Sequence, residues 1–272
     1  MNLLQRAITG ALFGALVFGT IFAGSIAFLI FYLVLLILTL LEFYKLAETK
    51  GVHVQKFTGL LASVVFFLFM FGYSSGYSEL RFLSVLFVFP PVAMIAELYR
   101  KKDNPFNNLV WTFFGIIYIA VPFSLLNMII FSGGESGDQY NPNILAGIFI
   151  LIMVNDTAAY LVGVPFGRHR LFESVSPKKT WEGTIGGGLT VLAASFLIKS
   201  IFPLPGHSSW MVIAAIIAVF GIYGDLLESL YKRGLGVKDS GKLLPGHGGV
   251  LDRVDAWLFV IPIVWVYLCM IV

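Results

Sequence analysis

The sequence reads SIAFLIFYLVLLILTLL from Ser25 to Leu41, without one charged side chain. A helix needs about 20 mainly apolar residues to cross the hydrocarbon core of a bilayer, with a range of about 17–25. Leucine, isoleucine and phenylalanine fill 12 of its 17 positions, so no polar face is left for water. This run therefore predicts a membrane-spanning helix.

Apolar runs of this kind recur along the whole chain. The sequence is 58% hydrophobic and only 12% charged, whereas a soluble domain is about 25% charged. We therefore expect an all-α polytopic membrane protein with about nine transmembrane helices. Five spans lie in an N-terminal region, residues 1–142, and four lie in a C-terminal catalytic region, residues 143–272. The nine spans are predicted at about residues 7–24, 25–41, 57–73, 82–98, 109–131, 143–163, 183–201, 209–227 and 256–272.

The connections between these spans alternate in charge. Most of the 18 Lys and Arg residues lie in every second connection. The positive-inside rule places such connections in the cytoplasm, so the N-terminus is predicted to be cytoplasmic and the C-terminus to lie outside. The net charge of +3 gives no support to nucleic-acid binding. The basic connections are residues 1–6, 42–56, 99–108, 164–182 and 228–255.

One polar segment, residues 224–255, reads GDLLESLYKRGLGVKDSGKLLPGHGGVLDRVD. Asp225 and Glu228 are three residues apart, as are Asp252 and Asp255, so each pair shares one face of a helix. The glycine-rich turn between them would let backbone N–H groups approach an anion. Carboxylates suit Mg²⁺. The segment predicts a magnesium–phosphate site; the alternative is a set of solvated helix-end charges.

Two further features lie outside this segment. The block SPKKTWEG, residues 176–183, predicts an ordered turn around Lys178 and Lys179, followed by Thr180 as the cap of the next helix. Asp156 lies within an apolar run, where a charge costs about 2.5–3.5 kcal/mol on insertion scales. It is therefore predicted to face a cavity or a partner; the alternative is a hydrogen-bonded packing residue. The glycines from Gly183 to Gly188 favour close helix packing.

The polar residues resemble the signature of the phosphatidate cytidylyltransferase (CDP-diacylglycerol synthase) family. The matching positions are Ser229-x2-Lys232-Arg233-x4-Lys238-Asp239-x-Gly241-x2-Leu244-Pro245-x-His247-Gly248-Gly249-x2-Asp252-Arg253-x-Asp255, together with SPKKTWEG. The resemblance covers the C-terminal half, and the N-terminal half is similar only in its hydrophobic spans. Ala256 departs from the pattern, since serine is expected after the last aspartate.

The resemblance implies conversion of CTP and phosphatidate into CDP-diacylglycerol and pyrophosphate, with Mg²⁺ as cofactor and room for a second cation. It also implies a homodimer, in contact with membrane lipid. Residue types and resemblance together indicate three sets of site residues. The catalytic set is Asp225, Lys232, Arg233, Asp252, Arg253 and Asp255; the substrate-binding set is Asp156, Lys178, Lys179, Lys238, His247, Gly248 and Gly249; the metal ligands are Asp225, Glu228, Asp252 and Asp255.

Two alternative functions stay open on the sequence alone. A CTP-dependent polyprenol or lipid-alcohol kinase would use the same magnesium–nucleotide site but release CDP. A transporter would fit an acidic residue within a span, although inverted repeats with interrupted helices are its expected sign. We expect a bacterial plasma membrane location, with the active site facing the cytoplasm, because that is where the basic connections are predicted.

Overall fold

Helices make up nearly all of the structure, which is a computed structural model describing residues 3–132, 140–204, 209–237, 239–241, 243, 246 and 248–271. Eight helical stretches in this part of the chain are long and apolar enough to span a membrane, and a shorter apolar helix precedes them. The prediction of an all-α polytopic membrane protein is confirmed.

The elements follow one another with short connections. Their bounds are α1 Leu3–Phe22, α2 Ser25–Glu48, α3 Lys56–Ser74, a 3₁₀ segment Leu80–Val88 leading into α4 Phe89–Arg100, α5 Pro105–Gly115, a π segment Ile116–Ala120 leading into α6 Val121–Ile130, α7 Pro142–Phe166, β1 Arg170–Phe172, β2 Ser176–Thr180, α8 Trp181–Ile201, α9 Ser209–Gly234 and α10 Leu251–Ile271.

Three helices extend at least five residues beyond the spans that the hydropathy predicts. Helix α2 continues beyond Leu41 to Glu48, α9 continues beyond residue 227 to Gly234, and α10 begins at Leu251 rather than near residue 256. Glutamate, lysine and arginine favour helices almost as well as leucine does. Hydropathy therefore locates the apolar part of each helix but not its ends. The 3₁₀ segment becomes an α-helix at Phe89, directly before Pro90 and Pro91.

The chain forms two compact units. The first comprises Met1–Tyr140 and Leu235–Arg253, and the second comprises Asn141–Gly234 and Val254–Val272. In the first unit, the Tyr44 hydroxyl of α2 donates to the Thr112 carbonyl of α5 over 2.8 Å. A Cβ at Gly59 or Gly115 would overlap the Tyr44 ring, so both glycines make room for this buried side chain.

A buried carboxylate organises a second region of the first unit. Glu97 is 5% exposed and accepts hydrogen bonds from Gln55 Nε2 at 2.6 Å, Asn108 Nδ2 at 2.8 Å and Arg100 Nη1 at 2.6 Å. A buried charge is tolerated when it is paired and hydrogen-bonded in this way. These bonds connect α4 to α5 and to the start of α3.

In the second unit, α7 and α8 pack backbone to backbone. A Cβ on Gly183 would lie 2.7 Å from the Ala159 carbonyl oxygen, and one on Gly187 would lie 2.9 Å from the Asn155 carbonyl oxygen. Small residues allow this close approach in a bilayer. Helix packing as the role of these glycines is therefore confirmed. Helix α10 joins the same unit through the stacked rings of Phe149 and Trp257, whose centroids are 4.1 Å apart.

Candidate metal and phosphate site

The site in the second unit begins where α9 and α10 cross at Gly224. A Cβ on Gly224 would lie 2.6 Å from the carbonyl oxygen of Asp255 and 3.0 Å from the Cα of Ala256. Only glycine permits an approach this close. Because Asp225 follows Gly224 directly, the crossing places the carboxylates of Asp225 and Asp255 beside each other.

Three carboxylates at this crossing form a group that fits a metal ion. Asp225, Glu228 and Asp255 each offer an oxygen, and these oxygens all lie within 4.8 Å of one another. Glu228 is buried, whereas the two aspartates are half-buried. Hard oxygen donors of this kind suit Mg²⁺, which retains some water and takes further oxygens from substrate phosphates. The predicted pairing of Asp225 with Glu228 on one helical face agrees with this geometry.

Two lysines balance part of this negative charge. Lys179 Nζ lies 2.7 Å from Asp225 Oδ2, and Lys232 Nζ lies 2.6 Å from Glu228 Oε2. The second pair is almost fully buried, with side-chain exposures of 10% and 2%. This pair is therefore not solvated, in contrast to the alternative of solvated helix-end charges that the sequence leaves open.

Asp156 of α7 belongs to the same electrostatic group. Its charge interacts with those of Lys179, Asp225 and Asp255. The four carboxylates named here exceed the two lysines in charge, so a divalent cation would balance them. Asp156 is exposed in this structure, so its predicted cavity or partner stays a prediction. Its role in substrate binding stays a prediction.

A β-hairpin positions Lys179. Strands β1 and β2 pair antiparallel, with Arg170 opposite Thr180. The block around Lys178 and Lys179 is thus mainly a strand, not the turn that the sequence predicts. Successive side chains of a strand point to opposite faces. Lys179 reaches Asp225, whereas Lys178 is exposed.

The hairpin is anchored to the start of α8. The Thr180 hydroxyl accepts a hydrogen bond from the Gly183 N–H over 3.2 Å, which confirms its prediction as a helix cap. The Glu182 carboxylate accepts hydrogen bonds from the Arg168 N–H at 3.0 Å and the His169 N–H at 3.2 Å, and its Oε1 lies 2.6 Å from His169 Nδ1.

Asp252 has different neighbours, in the first unit. Its carboxylate accepts hydrogen bonds from the Gly249 N–H at 2.8 Å and the Ser240 N–H at 3.2 Å. The anion that the Gly249 N–H approaches in this structure is therefore a side chain of the protein. Asp252 as a metal ligand, and Gly248 and Gly249 as substrate contacts, stay predictions.

The remaining predicted cations are at or beyond the helix ends. Arg233 lies in the last turn of α9 and Arg253 in the first turn of α10, and both residues are exposed. Lys238 and His247 lie outside the described residues. Sequence reasoning missed Glu42, because it follows Leu41 directly and was assigned to a connection. A carboxylate ending an apolar run is the signal that would have identified it.

These features define a class of protein, namely a polytopic membrane protein in which helices and one β-hairpin bring together carboxylates and lysines suited to a metal ion and phosphates. A family model described as the cytidylyltransferase family matches residues 4–271. The chain therefore belongs to the cytidylyltransferase family, and the resemblance found in the sequence is confirmed.

Three bacterial relatives carry the name phosphatidate cytidylyltransferase. The protein of Bacillus subtilis (strain 168) is 31% identical over 277 residues, which covers 99% of this chain and 99% of that protein. The protein of Staphylococcus saprophyticus is 31% identical and covers 85% of this chain and 88% of that protein. The protein of Staphylococcus aureus (strain COL) is 31% identical and covers 88% of this chain and 89% of that protein.

Proposed function

We propose that this protein is a phosphatidate cytidylyltransferase. It would convert CTP and phosphatidate into CDP-diacylglycerol and pyrophosphate. The observation that carries the proposal is the group of Asp225, Glu228 and Asp255, whose oxygens lie within 4.8 Å of one another in a chain of this family. Lys179, paired with Asp225, supplies a cation at the same place.

The reaction is an in-line substitution at phosphorus. A phosphate oxygen of phosphatidate attacks the α-phosphorus of CTP, a new P–O bond forms, and the bond to the departing pyrophosphate breaks. The attacking phosphate is already ionised, so no strong general base is needed. The protein's contribution is to position the two phosphates and to stabilise the charge that develops.

The site residues have two proposed roles, binding the metal ion and binding the phosphates. Asp225, Glu228 and Asp255 would hold Mg²⁺, with Asp252 as a further ligand. When bound, the ion shields the phosphates and stabilises the leaving group. Lys179 and Lys232 pair with Asp225 and Glu228 and would contact the polyphosphate. The remaining proposed contacts come from Asp156, Lys178, Arg233, Lys238, His247, Gly248, Gly249 and Arg253.

The alternation of basic connections supports a cytoplasmic position for this site, where CTP is available. It also supports a cytoplasmic N-terminus and an external C-terminus. The bacterial relatives support a bacterial inner membrane. A homodimer is part of the proposal only through the family resemblance.

Pyrophosphate release tests the proposed function. Detergent-purified protein would be given CTP, Mg²⁺ and phosphatidate, beside an Asp255→Asn variant. We expect release by the wild type and a loss of at least about 100-fold in the variant, since one ligand charge is removed from the metal group. No release by the wild type, together with CDP formed from a lipid alcohol, would assign the protein to the kinases instead. Equal release by both proteins would move the metal site away from Asp255.

A further inference from the structure

A buried glutamate of the first unit forms hydrogen bonds with the part of the polar segment that leads into α10, from Ser240 to Leu251. Glu42 lies on α2 and is 3% exposed. Its Oε2 accepts a hydrogen bond from the Leu251 N–H at 3.0 Å and another from the Ser240 hydroxyl at 3.3 Å. Leu251 is the first residue of α10, so Glu42 caps that helix from a distant part of the chain.

The backbone of the segment is shaped to fit this carboxylate. A Cβ on Gly241 would overlap Glu42 Oε1, and a Cβ on Gly249 would overlap Glu42 Oε2 and the Ser240 hydroxyl. Both glycines therefore let the main chain close around the Glu42 side chain. Glycine is therefore needed at positions 241 and 249 for a structural reason that does not involve a substrate.

A second carboxylate holds the same backbone. Asp252 accepts the N–H groups of Ser240 and Gly249, while Glu42 accepts the Ser240 hydroxyl and the Leu251 N–H. The two carboxylates thus fix both the beginning and the end of the glycine-rich segment. A negative charge is also favourable at the N-terminus of a helix, because it faces the positive end of the helix dipole.

We propose that Glu42 is a positioning residue for nucleotidyl transfer. Its carboxylate sets the place and direction of the first turn of α10, and thereby of Asp252, which follows Leu251 directly and is a proposed metal ligand. Glu42 itself touches neither metal nor substrate. This inference rests on the proposed function, since it assumes that Asp252 serves the reaction.

Energetics favour a geometric role over a purely stabilising one. Burying a carboxylate in an apolar span is costly, and an apolar side chain of similar size is often equally or more stable at such a place. What an apolar residue would not supply is an acceptor for the Leu251 N–H and the Ser240 hydroxyl. The benefit of Glu42 is therefore the fixed conformation of the segment.

The test compares Glu42→Ala and Glu42→Gln with Glu97→Ala. Glu97 is a suitable control because it is also a buried carboxylate of the first unit, but it binds Gln55, Asn108 and Arg100. Three quantities are measured in detergent: the unfolding temperature, Mn²⁺ affinity by electron paramagnetic resonance without substrates, and KM for CTP together with kcat.

We expect Glu42→Ala to weaken Mn²⁺ binding at least about tenfold, as is typical when a residue that supports metal ligands is removed. Glu42→Gln keeps an acceptor oxygen and should stay within about threefold of the wild type. Glu97→Ala should lower the unfolding temperature but leave Mn²⁺ affinity unchanged. If Glu42→Ala does not fold, Gly241→Ala displaces the same carboxylate from the other side and should weaken Mn²⁺ binding in the same way.

Three results would overturn the inference. One is Mn²⁺ affinity that is unchanged in both Glu42→Ala and Gly241→Ala, another is an equal loss in Glu97→Ala, and the third is a wild type that binds no Mn²⁺. Failure of the proposed function is a separate result, namely a wild type that binds Mn²⁺ but releases no pyrophosphate. In that case the Mn²⁺ comparison still decides whether Glu42 positions Asp252.

Discussion

The ammonium group of Lys179 lies 2.7 Å from Oδ2 of Asp225 and so joins strand β2 to helix α9. Asp225 also belongs to the group of carboxylates that fits a metal ion. A single aspartate is thus shared between a lysine and the candidate ion. In the proposed function, Lys179 would contact the polyphosphate of CTP from this position.

Replacing Lys179 tests this arrangement. We expect Lys179→Met to reduce kcat/KM for CTP by about 10- to 100-fold, because a hydrogen bond to a charged group contributes about 1.5–3 kcal/mol. The measurement is the initial rate of pyrophosphate release at varied CTP concentration. The matched control is Arg170→Met, since Arg170 is an exposed cation on strand β1 of the same hairpin; its rate should stay within about threefold of the wild type. Equal losses in the two variants would contradict the assignment.

The crossing at Gly224 gives a second prediction. A methyl group there would lie 2.6 Å from the Asp255 carbonyl oxygen, so Gly224→Ala must move α9 and α10 apart. We expect Mn²⁺ affinity to fall at least about tenfold and the unfolding temperature to fall as well. Gly234→Ala is the control on the same helix, because no heavy atom of the described residues lies within 4 Å of a Cβ at Gly234. Unchanged Mn²⁺ affinity in Gly224→Ala would show that the close crossing does not set the metal group.

The buried ion pair of Glu228 and Lys232 gives a third prediction. Removing one partner leaves the other charge buried without it, which typically costs about 3–5 kcal/mol. We expect Lys232→Met and Glu228→Gln each to lower the unfolding temperature strongly. The double variant should be less destabilised than the sum of the two single variants. Thermal unfolding in detergent measures all three proteins, and simple additivity would argue against a direct pair.

Much of the fold was predictable because a bilayer imposes a simple rule. A run such as Ser25–Leu41 has to be a helix in lipid, where every backbone hydrogen bond must be satisfied within the segment. The rule does not say where the helix ends. Glu42 continues α2 as readily as leucine would, and the helix runs on to Glu48.

The site was predictable where its residues share one helix. Asp225 and Glu228 are three residues apart, and spacing alone placed them together. Spacing also suggested that Asp252 joins Asp255, yet the described contacts of Asp252 are with the backbone of Ser240 and Gly249. The roles of Gly224 and Glu42 depend on contacts with residues far away in sequence, which no local pattern reveals.

The last prediction concerns Thr180, which is both the last residue of strand β2 and the cap of helix α8. Its hydroxyl accepts the Gly183 N–H over 3.2 Å, and replacing a capping threonine by alanine costs about 0.5–2 kcal/mol. We therefore expect Thr180→Ala to lower the free energy of unfolding by about 1 kcal/mol. Since Lys179 directly precedes the cap, KM for CTP should rise as well. Thr190→Ala is the matched control, because the Thr190 hydroxyl is exposed and donates only within α8, to the Gly186 carbonyl at 2.7 Å; its effect should stay within about 0.5 kcal/mol. A loss of stability without any change in KM would separate the cap from the placement of Lys179, and equal losses in both variants would remove the capping role.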